Sequence, residues 1–417
     1  MLRRSSPFLF GLALFLVSCH PRLVTDAPLP SRAYIWQRQW TPAVSEAISN
    51  LPPPIDGVIT LGAELEWSDG AFVPVESNID WESVRSCSRP AIALRIAQLP
   101  ASRTIADLPI KVAISEARRL IAQAQQHGVA LTELQLDFDC PASQLRGYAS
   151  VVGAFGAAIK PLPLVITVLP AWLDSSAFSN LAANCDRFVL QVHSIPLHKG
   201  TGQWKLYDPA LARKWIERAA TYNKRFAVAL PTYRCLAAYA PDGHLLGVIM
   251  DSVESRWPPD TRLYEIAANA DDLADAIAEW RARRPENFCE VLWYRLPVAT
   301  DMRNWRTATL AAVANGRRPQ RRLEVVGCGN NPVDIAVRNA GEADQLLSGK
   351  VLVRGNQPAA DVDALEGWHI ENRGSDTIFV VNDGATLSLR PGETRNIGWV
   401  RLARPEKLDF QIIGAGL

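Results

Sequence analysis

Short apolar runs alternate with longer amphipathic stretches along most of the chain, from about Ser31 to Asn315. Runs of four to eight apolar residues are typical of strands buried on both faces, and apolar residues spaced three and four apart are typical of helices. The predicted strands are Ala33–Trp36, Gly57–Ala63, Ala91–Ile96, Glu133–Asp139, Leu164–Leu169, Arg187–His193, Phe226–Pro231 and Glu290–Leu296. The predicted helices are Ser115–His127, Asp208–Tyr222, Asp271–Arg284 and Met302–Ala314.

This alternation predicts an α/β fold. Roughly eight strand–helix units over about 280 residues is the size expected of a (β/α)8, or TIM-like, barrel, which we place at residues 31–315. An open, doubly wound parallel sheet is the alternative. No Gly-rich phosphate-binding loop follows the first strand, which favours the barrel.

The pattern changes after a basic stretch that contains helix breakers, residues 315–322. Beyond it the helical spacing is absent, and turn residues such as Arg390-Pro391-Gly392 separate short strand-like runs. These runs are Leu323–Val326, Val333–Asn339, Lys350–Val353, Trp368–Glu371, Thr377–Val381, Thr386–Leu389 and Phe410–Ile413. We therefore expect a small all-β sandwich domain at residues 323–417, which either binds a ligand or braces the barrel.

The N-terminus has the pattern of a secretory signal. Arg3 and Arg4 precede an apolar run that is too short to span a membrane, so residues 1–18 are predicted to be a signal peptide. The segment Leu16-Val17-Ser18-Cys19 resembles the lipobox of bacterial lipoproteins. That resemblance implies lipidation of Cys19 and, because His20 rather than Asp follows it, an outer-membrane protein that faces the periplasm or the cell surface. An ordinary signal peptide with an unmodified Cys19 is the alternative.

The composition is that of a globular protein with no nucleic-acid partner. The chain has 44 Lys and Arg residues against 43 Asp and Glu residues, so it lacks the basic excess that binds nucleic acid. No other run is long enough for a membrane-spanning helix, so we expect membrane contact only through the lipid anchor. The remaining cysteines show no C-x-x-C pair and no zinc-ligand spacing, and they specify no disulfide connectivity. The sequence predicts neither a metal nor a cofactor.

Two aspartates close the fourth predicted strand, in Leu134-Gln135-Leu136-Asp137-Phe138-Asp139. Because a strand alternates its faces, Asp137 and Asp139 share one face. Crowded carboxylates resist joint ionisation, which raises one pKa and makes a proton donor. Within a barrel we expect Asp139 nearest the mouth and Asp137 one layer deeper. The alternative is that both residues cap a helix or anchor a loop.

Other strand ends bring polar and aromatic side chains to the same end of the barrel, where active sites of this fold lie. The second strand runs into Glu64 and Glu66, which join Asp137 and Asp139 as candidate catalytic carboxylates. The candidate substrate-binding residues are Trp36, Arg95, Gln191, His193, Tyr233, Trp293 and Arg295. Each also has a structural interpretation. The glutamates fit solvated loop charges, Arg95 a neutralising partner of Asp137, His193 a hydrogen-bonded scaffold residue and Trp293 the core.

The alternating aspartates resemble the fourth strand of chitinase-like glycoside hydrolases, which reads D-x-x-D-x-D-x-E. Asp137 and Asp139 fit the two inner aspartates, but Leu134 and Pro141 replace the first aspartate and the catalytic glutamate. The chitinase mechanism is therefore not carried over. The segments Tyr34–Arg38 and Leu136–Pro141 are similar to a family of bacterial proteins described only as a domain of unknown function. That similarity implies a barrel related to glycoside hydrolases and names no substrate.

The leading hypothesis is a cell-envelope lipoprotein that processes a glycan. Hydrolysis needs a general acid and a nucleophile or base on either side of the scissile bond. We expect Asp139 to pair with Glu64 or Glu66, while Asp137 tunes the pKa of its neighbour and Arg95 favours the ionised form. In this hypothesis Trp36, Trp293 and Tyr233 stack on sugar rings, and Gln191 and His193 form hydrogen bonds with hydroxyl groups.

Two other functions stay open. A carbohydrate-binding or scaffolding lipoprotein without catalysis is favoured by Pro141 at the position of the missing glutamate, because a fold does not guarantee a reaction. A metal-dependent hydrolase built on Asp137, Asp139, His193 and His198 is weaker, because these histidines lack a recognised ligand spacing.

Overall fold

The computed structural model describes residues 22–68, 70–100, 102–193, 205–250, 256–373, 375–382 and 387–414. The predicted signal peptide and Cys19 lie outside the described residues, and so does His198. Within these ranges no helix is both long and apolar enough to cross a membrane.

Eight parallel strands close into a barrel. In chain order they are β1 Ser31–Ile35, β2 Ile55–Ser68, β3 Ala91–Ile96, β4 Leu134–Phe138, β5 Leu164–Val168, β6 Arg187–Gln191, β7 Phe226–Pro231 and β8 Phe288–Tyr294. Each strand pairs with the next, and β8 pairs with β1, so the ring is closed. The (β/α)8 prediction is confirmed, and closure excludes the open, doubly wound sheet.

A helix follows each strand before the next one begins. The helices are α1 Pro42–Ser49, α2 Trp81–Arg85, α3 Ile110–Gln126, α4 Leu145–Ile159, α5 Phe178–Ala183, α6 Pro209–Ala220, α7 Ala270–Ala282 and α8 Thr307–Ala314. Helix α6 starts with Pro209 after Asp208, whose side chain accepts hydrogen bonds from the Ala210 and Leu211 amides. Helix α3 ends before Gly128, whose φ of 70° is the left-handed conformation that closes many helices.

The helix predictions are confirmed in position, but two starts differ: α3 begins at Ile110 rather than Ser115, and α8 begins late. Helix α8 begins at Thr307 rather than Met302, because the preceding residues form a turn in which Asn304 donates a hydrogen bond to Asp301 at 2.9 Å. Helices α1, α2, α4 and α5 lie where the pattern above assigns none. Three of these four have only five to eight residues, which is too short for a clear helical period.

The inside of the barrel changes character from one end to the other. At the N-terminal end of the strands, which we call the bottom, buried arginines and glutamates form ion pairs. The middle is apolar and includes small side chains from β3 and β7, namely Ala91, Ala93, Ala227 and Ala229. At the C-terminal end, which we call the mouth, acidic and aromatic side chains surround a cavity.

Two antiparallel additions extend the barrel beyond its mouth. Strand Ala71–Glu76 pairs with the C-terminal part of β2. Between β7 and α7 the chain forms a three-stranded sheet from Arg234–Tyr239, Leu245–Ile249 and Arg262–Ala267. The apolar pattern does not predict this sheet, because most residues of Arg262–Ala267 are exposed and carry no alternation of buried and polar positions.

Two four-stranded antiparallel sheets follow the barrel and confirm the predicted β-sandwich. One contains Leu323–Cys328, Val333–Asn339, Thr394–Leu402 and Ala359–Ala364, and the other contains Trp368–Arg373, Asp376–Val381, Lys350–Arg354 and Asp409–Ile413. Side chains from both sheets, including Ile335 and Phe379, form a core separate from that of the barrel. The predicted strands omit Ala359–Ala364 and Thr394–Leu402. The first is rich in alanine and aspartate, which are poor strand formers.

The sandwich contacts the barrel next to α8. The Arg390 side chain donates a hydrogen bond to the Asp301 carbonyl at 2.8 Å, and Arg306 forms an ion pair with Glu393 at 3.2 Å. Arg317 pairs with Glu342 at 2.6 Å on the same side. These contacts join the second domain to the outside of the barrel.

Candidate functional site

A cavity of about 390 Å³ opens at the mouth of the barrel. Its lining comes from strands around the ring and from the sheet that follows β7: Tyr34, Trp36, Arg95, Asp137, Asp139, Thr167, Leu169, Gln191, His193, Ala229, Tyr233, Met250 and Tyr294. A volume of this size falls within the range of small-ligand sites. Seven of the eleven predicted site residues line it: Trp36, Arg95, Asp137, Asp139, Gln191, His193 and Tyr233.

The floor of the cavity is polar and hydrogen-bonded. The Tyr34 hydroxyl donates to the Gln135 side-chain oxygen at 2.6 Å, and the Gln135 amide donates to Glu133 at 2.8 Å. Ala229 of β7 also lines the cavity. Its small side chain occupies a strand position that a larger aliphatic residue fills in a packed barrel.

Asp137 lies on the wall formed by β4. Its Oδ1 accepts a hydrogen bond from the Thr167 hydroxyl at 2.6 Å, and its Oδ2 lies 3.9 Å from Arg95 Nε. Burial raises the pKa of Asp137 to about 6, because the favourable contacts with Arg95 and Thr167 offset only part of the cost of burying a charge. This carboxyl group can therefore hold or release a proton near neutral pH.

Asp139 follows directly after β4 and also lines the cavity. Burial raises the pKa of Asp139, and Arg95 partly counteracts this effect. Within the described part of the chain its side chain forms no hydrogen bond, so both of its oxygen atoms are available to a ligand. The predicted order of the pair, with Asp137 deeper, agrees with the more complete burial of Asp137.

Glu64 belongs to the same cluster of charges, just behind the lining. Its carboxylate lies 3.4 Å from Arg95 Nε and 2.5 Å from Arg38 Nη2. It therefore pairs with two guanidinium groups. Glu66 is further out, with 40% of its side chain exposed, and it pairs with Arg38 without lining the cavity.

The opposite wall is aromatic and is organised around Tyr294. Its ring centre lies 5.3 Å from that of Trp36 and 5.8 Å from that of Tyr233. The His193 ring lies 5.8 Å away at an angle of 21°, close to stacking. Burial lowers the pKa of His193 to about 4, so this imidazole is neutral at physiological pH and acts as a hydrogen-bonding group.

The prediction that Trp293 and Arg295 lie in the cavity is wrong. Trp293 is fully buried on the outer face of β8, where its indole N–H donates to the Ser31 hydroxyl at 2.7 Å. It therefore has no face free to stack on a sugar. Arg295 pairs with Asp301 at 2.9 Å and does not line the cavity. Tyr294 occupies the position that was expected for Trp293.

Sequence reasoning missed Tyr294 because β8 is buried on both faces, so hydrophobicity does not reveal which residues point inward. A usable signal was present in Glu290. A charge on a barrel strand is more easily accommodated inside than beneath the apolar helices, and Tyr294 shares the face of Glu290 through the period of two.

The described residues contain no group of three or more His, Cys, Asp or Glu side chains that could hold a metal ion. Asp137, Asp139 and His193 lie around one cavity without forming such a group, and His198 is outside the described ranges. The metal-dependent hypothesis has no support in this geometry.

Comparison with known families identifies the family to which the barrel region belongs. Residues 88–299, slightly more than half of the chain, match the family described as Domain of unknown function (DUF3142). The chain belongs to this family. The match confirms the resemblance inferred from Tyr34–Arg38 and Leu136–Pro141. Residues 328–403 match a second family, Domain of unknown function (DUF8456), within the β-sandwich. No curated protein sequence matches the DUF3142 chain.

Solved structures similar to this DUF3142 protein include chitinase-like barrels at low identity. A chitinase from Bacillus thuringiensis is 8% identical, with 92% of this chain and 99% of that chain covered and a TM-score of 0.40. A chitinase from Bacteroides thetaiotaomicron is 13% identical, with 65% and 90% covered and a TM-score of 0.45. The spore cortex-lytic enzyme SleL of Bacillus cereus is 10% identical, with 69% and 72% covered and a TM-score of 0.46. These likenesses are too distant to transfer a site.

Proposed function

We propose that the mouth of the barrel binds a glycan and hydrolyses one of its glycosidic bonds. The observation that carries this proposal is the arrangement of three carboxyl groups, those of Glu64, Asp137 and Asp139, around Arg95 in a cavity with an aromatic wall. Aromatic rings suit the C–H faces of sugars, and carboxylates accept hydrogen bonds from hydroxyl groups. The same carboxyl groups supply acid–base chemistry.

Arg95 holds two of the carboxyl groups close together. Glu64 and Asp137 each contact the same nitrogen of Arg95, at 3.4 and 3.9 Å. The nearest oxygen atoms of Glu64 and Asp137 are therefore no farther apart than the sum of these two distances. That upper limit is compatible with the roughly 5–9.5 Å between carboxyl groups that cleave glycosides, and it applies to Glu64 and Asp137 only.

The roles follow from the contacts. Asp139, which has no hydrogen-bond partner among the described residues, contacts the ligand and donates the proton. Asp137, with a pKa of about 6, keeps a proton within the pair near neutral pH. Glu64, held by Arg38 and Arg95, is the second carboxyl group of the reaction. Trp36, Tyr233 and Tyr294 contact the sugar rings. Gln191 and His193 form hydrogen bonds with the hydroxyl groups of the glycan.

Binding without turnover is the second candidate function. It is favoured by Pro141, which stands where the chitinase-like pattern has its catalytic acid. In that case the same cavity recognises a glycan, and the raised pKa values of the two aspartates make binding depend on pH.

The proposed location is the bacterial cell envelope, with a lipid on Cys19 as the anchor. The support is the N-terminal sequence: a basic start, a short apolar run and the lipobox-like Leu16–Cys19. Labelling cells with a radioactive fatty acid tests it, because Cys19→Ser should lose both the label and the membrane association.

The test of the activity is a screen of residues 20–417 against cell-envelope glycans and exopolysaccharides, with new reducing ends as the readout. Asp139→Asn should reduce turnover at least a hundredfold, because general acid catalysis contributes about 10²–10⁴-fold. Asp174→Asn is a matched control, since that carboxylate is 87% exposed outside the cavity. Equal turnover in Asp139→Asn and the unmodified protein would refute the mechanism. Saturable binding with no product would establish the second function.

A further inference from the structure

The first described residues of the chain are held at the bottom of the barrel, opposite the cavity. Leu23–Thr25 pair as an antiparallel strand with Arg283–Pro285, which come shortly before β8. The amide of Glu286 donates a hydrogen bond of 2.8 Å to the carbonyl of Arg22. The chain is therefore fixed to the bottom face from Arg22 onward.

Very little chain separates this fixed point from the proposed anchor. Cys19 is three residues before Arg22 in the sequence. Three residues span at most roughly 10–11 Å when fully extended. An anchored Cys19 cannot be farther than this from the bottom face, whatever conformation the intervening residues adopt.

We propose that the bottom of the barrel faces the lipid headgroups of the anchoring membrane and that the cavity opens away from it. This orientation rests on the lipid anchor that is part of the proposed function. Strand β8 spans seven residues from bottom to mouth. At about 3.3 Å per residue and a strand tilt of about 36°, the mouth lies roughly 16 Å farther from the membrane.

The chemistry of the bottom face is compatible with a headgroup layer. Arg22, Arg225 and Arg283 are exposed there, and Leu23 is 46% exposed beside them. Such cations are attracted to an anionic lipid surface. Asp26, Asp56, Asp186 and Glu286 are exposed on the same face and reduce the net charge. The short tether, more than the charge, therefore determines which face meets the membrane.

The orientation limits which glycans the cavity can reach. A cavity that opens away from the anchoring membrane cannot reach the sugar headgroup of a glycolipid in that same leaflet. The glycan it serves must extend through the space beyond, as a polymer strand does. Peptidoglycan strands and exopolysaccharides meet this condition, and the sugar headgroups of the anchoring leaflet do not.

The test compares two labelled positions on the lipidated, full-length protein. In a Cys328→Ser background, which removes the exposed cysteine among the described residues, Arg225→Cys labels the bottom and Val73→Cys labels the strand beyond the mouth. Each variant carries a bimane fluorophore and is reconstituted into vesicles of phosphatidylethanolamine and phosphatidylglycerol that contain a nitroxide-headgroup lipid. We expect quenching at least threefold stronger at position 225 than at position 73.

A flexible Gly/Ser insertion of about 20 residues between Cys19 and Arg22 is the control. Its end-to-end distance is roughly 25 Å, so it should remove most of the difference between the two positions. Equal quenching with the native tether, or stronger quenching at position 73, overturns the orientation while leaving glycan turnover by residues 20–417 intact. A protein that carries no lipid on Cys19 overturns both the anchor and the orientation, and fatty-acid labelling identifies that case separately.

Discussion

The two ends of the barrel both bury charged side chains, but the balance between arginines and carboxyl groups differs between them. At the bottom, Glu290 is held by three arginines: its Oε1 lies 2.8 Å from Arg32 and 2.7 Å from Arg89, and its Oε2 lies 2.7 Å from Arg187. Glu133 takes a further contact from Arg32 and from Arg187, each at 2.7 Å.

At the mouth the same residue types are out of balance. Four carboxyl groups, those of Glu64, Glu66, Asp137 and Asp139, share Arg38 and Arg95. Burial raises the pKa of a carboxyl group at either end. At the bottom the arginines outweigh it and lower the pKa of Glu290 to about 2, whereas at the mouth burial prevails and raises the pKa of Asp137 to about 6.

This difference separates buried charge that supports the fold from buried charge that would suit the proposed chemistry. A glutamate with a strongly lowered pKa stays ionised at every physiological pH and serves as a structural partner. An aspartate with a pKa near neutral changes its proton content under working conditions, which is what a general acid must do.

Breaking the bottom network should have the largest effect on stability. Glu290→Gln leaves Arg32, Arg89 and Arg187 with an uncompensated buried charge, so we expect a loss of about 3–5 kcal/mol in the free energy of unfolding. Urea denaturation at pH 7 measures it. Glu286→Gln, at an exposed position in the same segment, is the matched control and should change it by less than about 0.5 kcal/mol.

The loss from Glu290→Gln should also depend on pH. Because the native pKa of Glu290 is lowered, its contribution to stability is present above the ordinary pKa of a glutamate and is lost as the pH falls toward about 2. The difference between Glu290→Gln and the unmodified protein should therefore shrink in acid. A difference that stays constant from pH 7 to pH 3 would contradict the role assigned to its charge.

At the mouth, removing a charge should stabilise the protein. Because the native pKa of Asp137 is raised, its contribution to stability is present below the ordinary pKa of an aspartate and is lost as the pH rises through about 6. Asp137→Asn should therefore be more stable than the unmodified protein at pH 8, by up to about 3 kcal/mol, and equally stable near pH 4. Thermal melting at both pH values checks the sign, and a variant that is less stable at pH 8 would show that Asp137 is a structural partner.

Thr167 should have a smaller effect that is confined to the mouth. Its hydroxyl donates to Asp137 at 2.6 Å and stabilises the carboxylate form. Thr167→Val should raise the pKa of Asp137 by about one to two units, since a hydrogen bond to a charged group is worth about 1.5–3 kcal/mol. Carboxyl-carbon NMR titration measures this without a substrate. Thr167→Ser, which keeps the hydroxyl, should leave the pKa nearly unchanged, and identical titrations in the two variants would show that the hydrogen bond does not control it.

The sequence predicted the fold better than the inside of the barrel. The eight strands appear as separate apolar runs, and the run of β4 carries Asp137 and Asp139 to the mouth through simple alternation. Alternation does not say which face of a doubly buried strand points inward, and this is why Trp293 was chosen in place of Tyr294. The bottom network was not predicted, because Arg32, Glu133 and Glu290 are about 100 to 260 residues apart and only the closed ring brings them together.

The three-stranded sheet after β7 and the partners of Glu64 were unpredictable for a related reason. The sheet includes a segment whose own pattern is weak, and the partners of Glu64 come from neighbouring strands of the barrel. Arg38 and Glu64 are distant in sequence and come within 2.5 Å because β1 and β2 are neighbours in the barrel. A sequence pattern reports burial along one segment, whereas the charge balance of a site depends on several segments at once.

The smallest effect on stability is expected at Glu66. It tests whether the exposure of an ion pair, rather than its residue types, determines how much the pair stabilises the protein. Glu66 also pairs with an arginine, Arg38, but 40% of its side chain is exposed and solvent weakens the attraction. Glu66→Gln should therefore change the free energy of unfolding by less than about 1 kcal/mol. The change expected for Glu290→Gln is about 3–5 kcal/mol. Urea denaturation at low and high salt measures it, and the small effect should fall further at high salt because exposed pairs are screened. A loss as large as that of Glu290→Gln would mean that ion pairs at the mouth are as structural as those at the bottom, and the contrast between the two ends would fail.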